Sequence, residues 1–255
     1  MYPFIHIGPL TLGSYGLMVA IGLICAFFIL RADFARRGVS ADAEAIIGIT
    51  GLAGLAGSRL YHLLESPAEF FADPWPQLFS TMGFAFVGAI IGGFIALVFL
   101  AKRFRMSMLL MLDAASPAAA MGYGIGRIGC LISGDGDYGI PTSLPWGMSF
   151  PNGIVPTTER VHPTPIYEFL VAILIFWILW RLGARALKMR FPNGIIFAAY
   201  LVLTGIARFL VEMIRINPHS FYGLTNAQAA SVVSVLAGMS LFVYRLKASR
   251  KDIRA

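Results

Sequence analysis

Seven apolar stretches dominate this sequence, at about 13–30, 44–64, 82–101, 107–132, 164–180, 194–214 and 226–244. A hydrocarbon core roughly 30 Å thick needs about 20 mostly apolar residues per crossing helix. Inside it the backbone must satisfy its own N–H and C=O groups, which leaves helices and closed barrels as the only spanning forms. Unbroken runs of this length, bounded by breaks such as Arg36-Arg37-Gly38, Ser66-Pro67, Pro192-Asn193-Gly194 and Asn217-Pro218-His219, read as helices separated by turns. The expected architecture is an all-α polytopic membrane protein, a single integral domain over residues 1–255 with seven transmembrane helices. Composition decides against a soluble alternative. Hydrophobic residues make up 58% of the chain and charged residues 13%, whereas an ordinary globular domain carries about 25% charged residues.

The net charge of +7 follows the topology. Arg31, Arg36 and Arg37 follow the first stretch, and Lys102, Arg103 and Arg105 the third. Arg181, Arg185, Lys188 and Arg190 follow the fifth, and Arg245, Lys247, Arg250, Lys251 and Arg254 the seventh. Fifteen of the 20 Lys and Arg thus lie on alternate connections. The opposite connections hold Glu65, Glu69, Asp73, Asp135, Asp137 and Glu159, with Arg160 their one clear base. The positive-inside rule then puts the N-terminus outside and the C-terminus in the cytoplasm, and no nucleic-acid partner is expected. The first 12 residues contain no Lys or Arg, so the first helix is expected to be retained rather than cleaved as a signal peptide. Segment 133–163 is the long connection on the outer side, and its Trp146 and Phe150 are expected to order it at the interface.

Topology leaves five arginines: Arg59, Arg127, Arg160, Arg208 and Arg215. All but Arg160 lie within or at the outer ends of spans. An arginine at the bilayer centre costs roughly 2.5–3.5 kcal/mol, so its presence calls for a partner or a use. Snorkelling to the headgroups is the plainer alternative, above all for Arg59 and Arg215. Arg208, Glu212 and Arg215 share one helix face, a stripe with two cations and one anion. Arg127 sits in Gly124-Ile-Gly-Arg-Ile-Gly129, whose small residues let another group approach. A planar, permanently charged guanidinium suits bidentate phosphate binding. Two or three converging at headgroup depth would make an anionic phospholipid site.

The run His162-Pro-Thr-Pro-Ile-Tyr-Glu168 opens the fifth helix. Its prolines make an entry turn, while His162, Tyr167 and Glu168 are also candidates for proton transfer or substrate contact. Tyr15 enters the membrane at the same level, either as an anchor or as a site residue. Cys25 and Cys130 are too few for a disulfide framework. The four histidines (His6, His62, His162 and His219) show no metal-ligand spacing, and no Walker loop or nucleophile elbow occurs. Neither a metal nor a cofactor is expected. Gly48, Gly51, Gly54 and Gly57, the pair Gly88 and Gly92, and the pair Gly122 and Gly126 recur at helical spacing, as close helix packing requires.

Taken together, these pieces resemble the bacterial prolipoprotein diacylglyceryl transferase family. The resemblance rests on Tyr15-Gly-Leu-Met18, Gly57-Ser-Arg-Leu-Tyr61, Gly126-Arg-Ile-Gly129 with Asp137-Tyr-Gly139, Trp146-Gly-Met-Ser-Phe-Pro151, His162 to Glu168, and Gly205-Ile-Ala-Arg-Phe-Leu-Val-Glu-Met-Ile-Arg215. It implies a multi-pass inner-membrane enzyme with segment 133–163 in the periplasm. Its partners would be membrane lipids, phosphatidylglycerol as donor and a prolipoprotein signal peptide with a lipobox cysteine as acceptor. It also implies that Arg127, Arg208, Tyr15 and Glu212 are functional residues. His162, Tyr15 and Glu212 are the expected catalytic group, and Arg127, Arg208, Arg215, Arg59, Glu168 and Tyr167 the expected substrate-binding group.

The sequence departs from the family in two places. Val87, in Gly83-Phe-Ala-Phe-Val-Gly88, stands where the resemblance places a histidine that is a leading candidate for the base. Cys130 and Ser133 stand where it places asparagines. With valine unable to take a proton, His162 ranks first among replacements, ahead of Glu168, Asp135 and Asp137. The alternatives are a divergent paralogue with another acceptor, and a non-catalytic phospholipid binder or transporter. An assembly subunit has only the glycine faces in its favour.

Overall fold

The computed structural model describes the chain except for residues 9, 66, 80–82, 219–221 and 253–255; His219 falls outside the described residues. Nine helices occur among them: α1 (Ser14–Arg37), α2 (Ala43–Glu65), α3 (Pro67–Ala72), α4 (Pro74–Phe79), α5 (Phe86–Arg103), α6 (Met108–Ser133), α7 (Thr164–Lys188), α8 (Ile195–Glu212) and α9 (Asn226–Asp252). Five of these, α1, α6, α7, α8 and α9 up to Ala248, are long and apolar enough to cross a membrane. α2 and α5 occupy the second and third apolar stretches. α1 and α7 run past their apolar stretches into Arg36, Arg37 and Lys188, because Arg and Lys are good helix formers and the backbone ladder does not stop where lipid does. Ile24, Phe28, Phe94, Phe99, Trp177 and Val233 are exposed on the helices. An apolar surface of this extent needs hydrocarbon over it.

Two short antiparallel hairpins correct the all-α expectation: β1 (Phe4–Ile7) with β2 (Leu10–Gly13), and β3 (Met148–Phe150) with β4 (Thr157–Val161). Both lie in stretches too short for a span, and the second carries the β-branched Thr157, Thr158 and Val161.

By internal packing the chain forms two compact units, residues 34–111 and residues 1–33 with 112–255. In the first, α2 and α5 touch through backbone. A Cβ on Gly57 would lie 3.1 Å from Gly92 Cα, and one on Gly54 would lie 3.5 Å from the Ala89 carbonyl. Ser58 fixes the entry to α5: its hydroxyl donates to the Ala85 carbonyl (2.9 Å), and its own carbonyl accepts from the Ala85 N–H (3.1 Å).

In the second unit, Ala120, Ile175, Leu179, Ala186 and Ile196 form a buried core among α6, α7 and α8. α8 and α9 close on small residues, since a Cβ on Gly238 would lie 2.8 Å from the Ala198 carbonyl. The start of α8 is capped from another helix. Asp113 on α6 accepts the N–H groups of Gly194 (2.7 Å) and Phe197 (2.8 Å), a buried carboxylate placed on the positive end of the helix dipole. Gly194, with φ of 104°, supplies the left-handed turn into that helix.

Candidate active site

The C-terminal ends of α6 and α8 and the N-terminal end of α7 meet through a strand-like segment. Residues 139–142 run beside β4 on one side and the residues following α8 on the other. Gly139 N–H donates to the His162 carbonyl (2.8 Å), His162 N–H to the Ile140 carbonyl (3.1 Å), Ile140 N–H to the Ile214 carbonyl (2.8 Å) and Thr142 N–H to the Arg160 carbonyl (2.8 Å). The pairing sets Gly139 opposite Arg215. Gly139 has to be glycine, because a Cβ would come within 3.0 Å of both His162 Cβ and Thr164 Cγ2. Tyr138 stacks on Phe150 at 5.2 Å, packed with Val161. Phe150 is thus core rather than interface, a correction to the expectation for this loop, whereas Trp146 is exposed.

Six charged side chains converge on this scaffold. Glu168, near the start of α7, accepts from Arg208 Nη1 (2.9 Å) and from the Tyr123 hydroxyl, and lies 3.5 Å from both Arg127 Nε and Arg215 Nη1. Glu212, one helical turn beyond Arg208, sits 3.0 Å from Arg208 Nη2 and accepts from Asn217 (2.5 Å) and Thr225 (3.0 Å). Asp137, in the loop after α6, bridges two arginines through separate oxygens: Oδ2 pairs with Arg127 Nη1 and Oδ1 with Arg215 Nη2. Arg127 also stacks on Tyr123, with 4.8 Å between the guanidinium carbon and the ring centroid. The α8 stripe alone is net positive. The fold brings Glu168 and Asp137 to it, so three guanidinium groups face three carboxylates.

Exposure separates the carboxylates. The side chains of Glu168 and Glu212 are 3% and 0% exposed, that of Asp137 28%. Burial alone would raise the Asp137 carboxyl, but the hydrogen bond and charge of Arg215, followed by the charge of Arg127, hold it below the usual carboxylate range. Asp135, two residues away, is pushed upward by burial.

His162 and Tyr167 are also brought together: His162 Nδ1 lies 3.2 Å from the Tyr167 hydroxyl, which accepts from Trp146 Nε1 (2.7 Å). Tyr15 on α1 packs on Gly129 of α6, where a Cβ would lie 3.1 Å from its ring. Arg59 belongs to the other unit. It donates to the Gly83 carbonyl (2.7 Å), with its guanidinium 5.7 Å from the Phe84 ring centroid. Val87 is half exposed on α5.

Sequence spacing missed two features. Tyr123 lies one turn before Arg127, and that four-residue interval is the signal that could have found it. The Cys130 thiol and the carboxylates of Asp135 and Asp137 place donor atoms within 4.8 Å of one another, a geometry open to a metal ion. The Arg127 guanidinium, 3.9 Å from the thiol and paired with Asp137, already puts a positive charge there.

Comparison with known proteins fits this assembly. A family profile described as prolipoprotein diacylglyceryl transferase matches residues 3–244. The chain belongs to the prolipoprotein diacylglyceryl transferase family. It is 33% identical over 251 residues to the phosphatidylglycerol–prolipoprotein diacylglyceryl transferase of Clostridium tetani, covering 95% of this chain and 96% of that one. The protein of the same name from Geobacter sulfurreducens is 32% identical over 252 residues, covering 94% and 93%. That from Leptospira interrogans is 28% identical over 297 residues, covering 96% and 91%. The converged cluster is built entirely from residues inside the matched range.

Proposed function

We propose that this protein transfers the diacylglyceryl group of phosphatidylglycerol to the thiol of a lipobox cysteine in a prolipoprotein, at the outer face of the bacterial inner membrane. The observation that carries this reading is the convergence of Arg127, Arg208 and Arg215 from two helices and their flanks, on a chain of this family. The acceptor sulfur attacks the glycerol carbon, an S–C bond forms, the C–O bond to phosphate breaks, and glycerol phosphate leaves on the guanidinium groups. Preorganised cations at the departing phosphate lower the barrier for such a displacement. Glu212, wholly buried and committed to Arg208, Asn217 and Thr225, acts as a positioning residue for Arg208. Tyr15 donates a hydrogen bond to the lipid. In this proposal α2 and α5 join the five apolar helices to make seven spans, with the N-terminus outside as the distribution of basic residues indicates.

A thiol of pKa about 8.5 is only a few per cent ionised at neutral pH, so a base contributes. With Val87 on α5 we assign this role to His162, whose ring already shares a hydrogen bond with Tyr167. Purified protein incubated with labelled phosphatidylglycerol and a lipobox peptide should yield lipidated peptide. His162→Ala should slow transfer most at neutral pH and least at high pH, where the thiol ionises unaided. Peptide that stays unmodified while phosphatidylglycerol still binds would favour the second reading, a phospholipid binder that lacks the base, for which Val87 is the supporting observation.

A further inference from the structure

The three carboxylates of the cluster are not equivalent. Glu168 and Glu212 are helix residues with almost no exposed side-chain surface, each fixed by neutral donors as well as by arginines. Asp137 is more than a quarter exposed, and its carboxylate is held by Arg127 and Arg215 and by a hydrogen bond from the Cys130 thiol. Its backbone, by contrast, is pinned. The Asp137 carbonyl accepts from the Thr164 hydroxyl, its N–H donates to Asp135 Oδ1 (3.2 Å), and the next residue, Tyr138, is stacked on Phe150. Rotation about the side-chain bonds can therefore move the carboxylate off the arginines without moving the loop.

We propose that Asp137 is the exchangeable counter-ion of the phosphate subsite: its carboxylate and the phosphate of the lipid are alternative bridges between Arg127 and Arg215. This inference rests on the phospholipid reading above and names a specificity residue within it. Charge decides the exchange. The three guanidinium groups with Glu168 and Glu212 alone carry one net positive charge, which Asp137 neutralises. A phosphodiester, also a monoanion, neutralises it equally well and also presents two anionic oxygens on one atom, so it reproduces the bridge. A zwitterionic headgroup brings its own cation to the cluster and gains less from the exchange, so the subsite selects lipids whose only headgroup charge is the phosphate. The same competition speeds release of the phosphate product, since Asp137 returns to the arginines.

The test uses the whole protein in detergent, titrated with glycerol 1-phosphate as the probe. A competing internal anion lowers apparent affinity by the fraction of molecules in which it holds the site, so Asp137→Asn should bind the probe about tenfold tighter. Asp137→Glu, which keeps the charge, should stay near the parent affinity. Without the probe, the thermal midpoint of Asp137→Asn should fall below that of the parent, and saturating probe should raise it by more. If Asp137→Asn does not fold, Asp137→Ser carries the same expectation. Binding unchanged or weakened in a folded variant, or no binding in either protein, overturns the proposal. Lipid transfer to a lipobox peptide is scored separately. Transfer without tighter binding in the variant defeats the counter-ion alone, whereas tighter binding without transfer defeats the transferase reading alone.

Discussion

Between α2 and α5 the contact is backbone against backbone; among the ends of α6, α7 and α8 it is charge against charge. Gly57 and Gly92 meet so closely that a single Cβ has no room, and that approach lets dispersion between the two backbones hold the contact. In the cluster, Glu168 alone lies within ion-pair distance of three arginines contributed by two helices and their flanks. The glycine contact tolerates no added volume, and the ionic contact tolerates no lost partner. A contact of the first kind fixes a distance between helices. One of the second kind fixes positions of charge, which is what a reaction on a phosphate ester needs.

The largest expected effect breaks the ionic side. Glu168→Ala removes the carboxylate shared by three guanidinium groups and should cost about 3–5 kcal/mol of stability, read as a large fall in thermal midpoint. A fall no greater than that of an exposed substitution would refute the central place given to Glu168.

Next, Arg208→Lys keeps the charge and loses the fork that reaches Glu168 and Glu212 at once. Transfer should drop about a hundredfold, roughly 2.7 kcal/mol, with the protein still folded. Undiminished transfer would mean that charge alone suffices there. On the glycine side, Gly57→Val overpacks the α2–α5 contact and should cost about 1–3 kcal/mol. It should do so equally at low and high salt, which sets it apart from the charged variants.

The smallest effect concerns the two loop aspartates and pH. Asp135 is raised by burial, so its ionisation opposes folding: the penalty is absent below the unfolded value near 3.9 and full above the folded one. Asp135→Asn should therefore raise the thermal midpoint slightly at neutral pH, and the gain should vanish in acid. Asp137 is lowered, so its ionisation supports folding above about 3.9, and that support is lost as pH falls through the folded value. Asp137→Asn should accordingly remove part of the acid limb of the stability profile. Identical pH profiles for both variants would erase the distinction drawn between them.

The sequence by itself determined the apolar stretches, the residual arginines and the pairing of Arg208 with Glu212, which lies at 3.0 Å as four-residue spacing on one helix requires. These are local quantities, set by composition within about 20 residues and by the helical period. Only the tertiary structure decided that Glu168 reaches Arg208, 40 residues away, and that Asp137 reaches Arg215, 78 residues away. It also decided that the α8 stripe, net positive when read alone, is neutralised, and that Phe150 is core. Helical periodicity says which residues share a face. It does not say which faces meet. That depends on how closely small residues let helices approach and on the pairing of residues 139–142 with the segments around His162 and Ile214, hydrogen bonds between backbone groups that carry no sequence signature of their own.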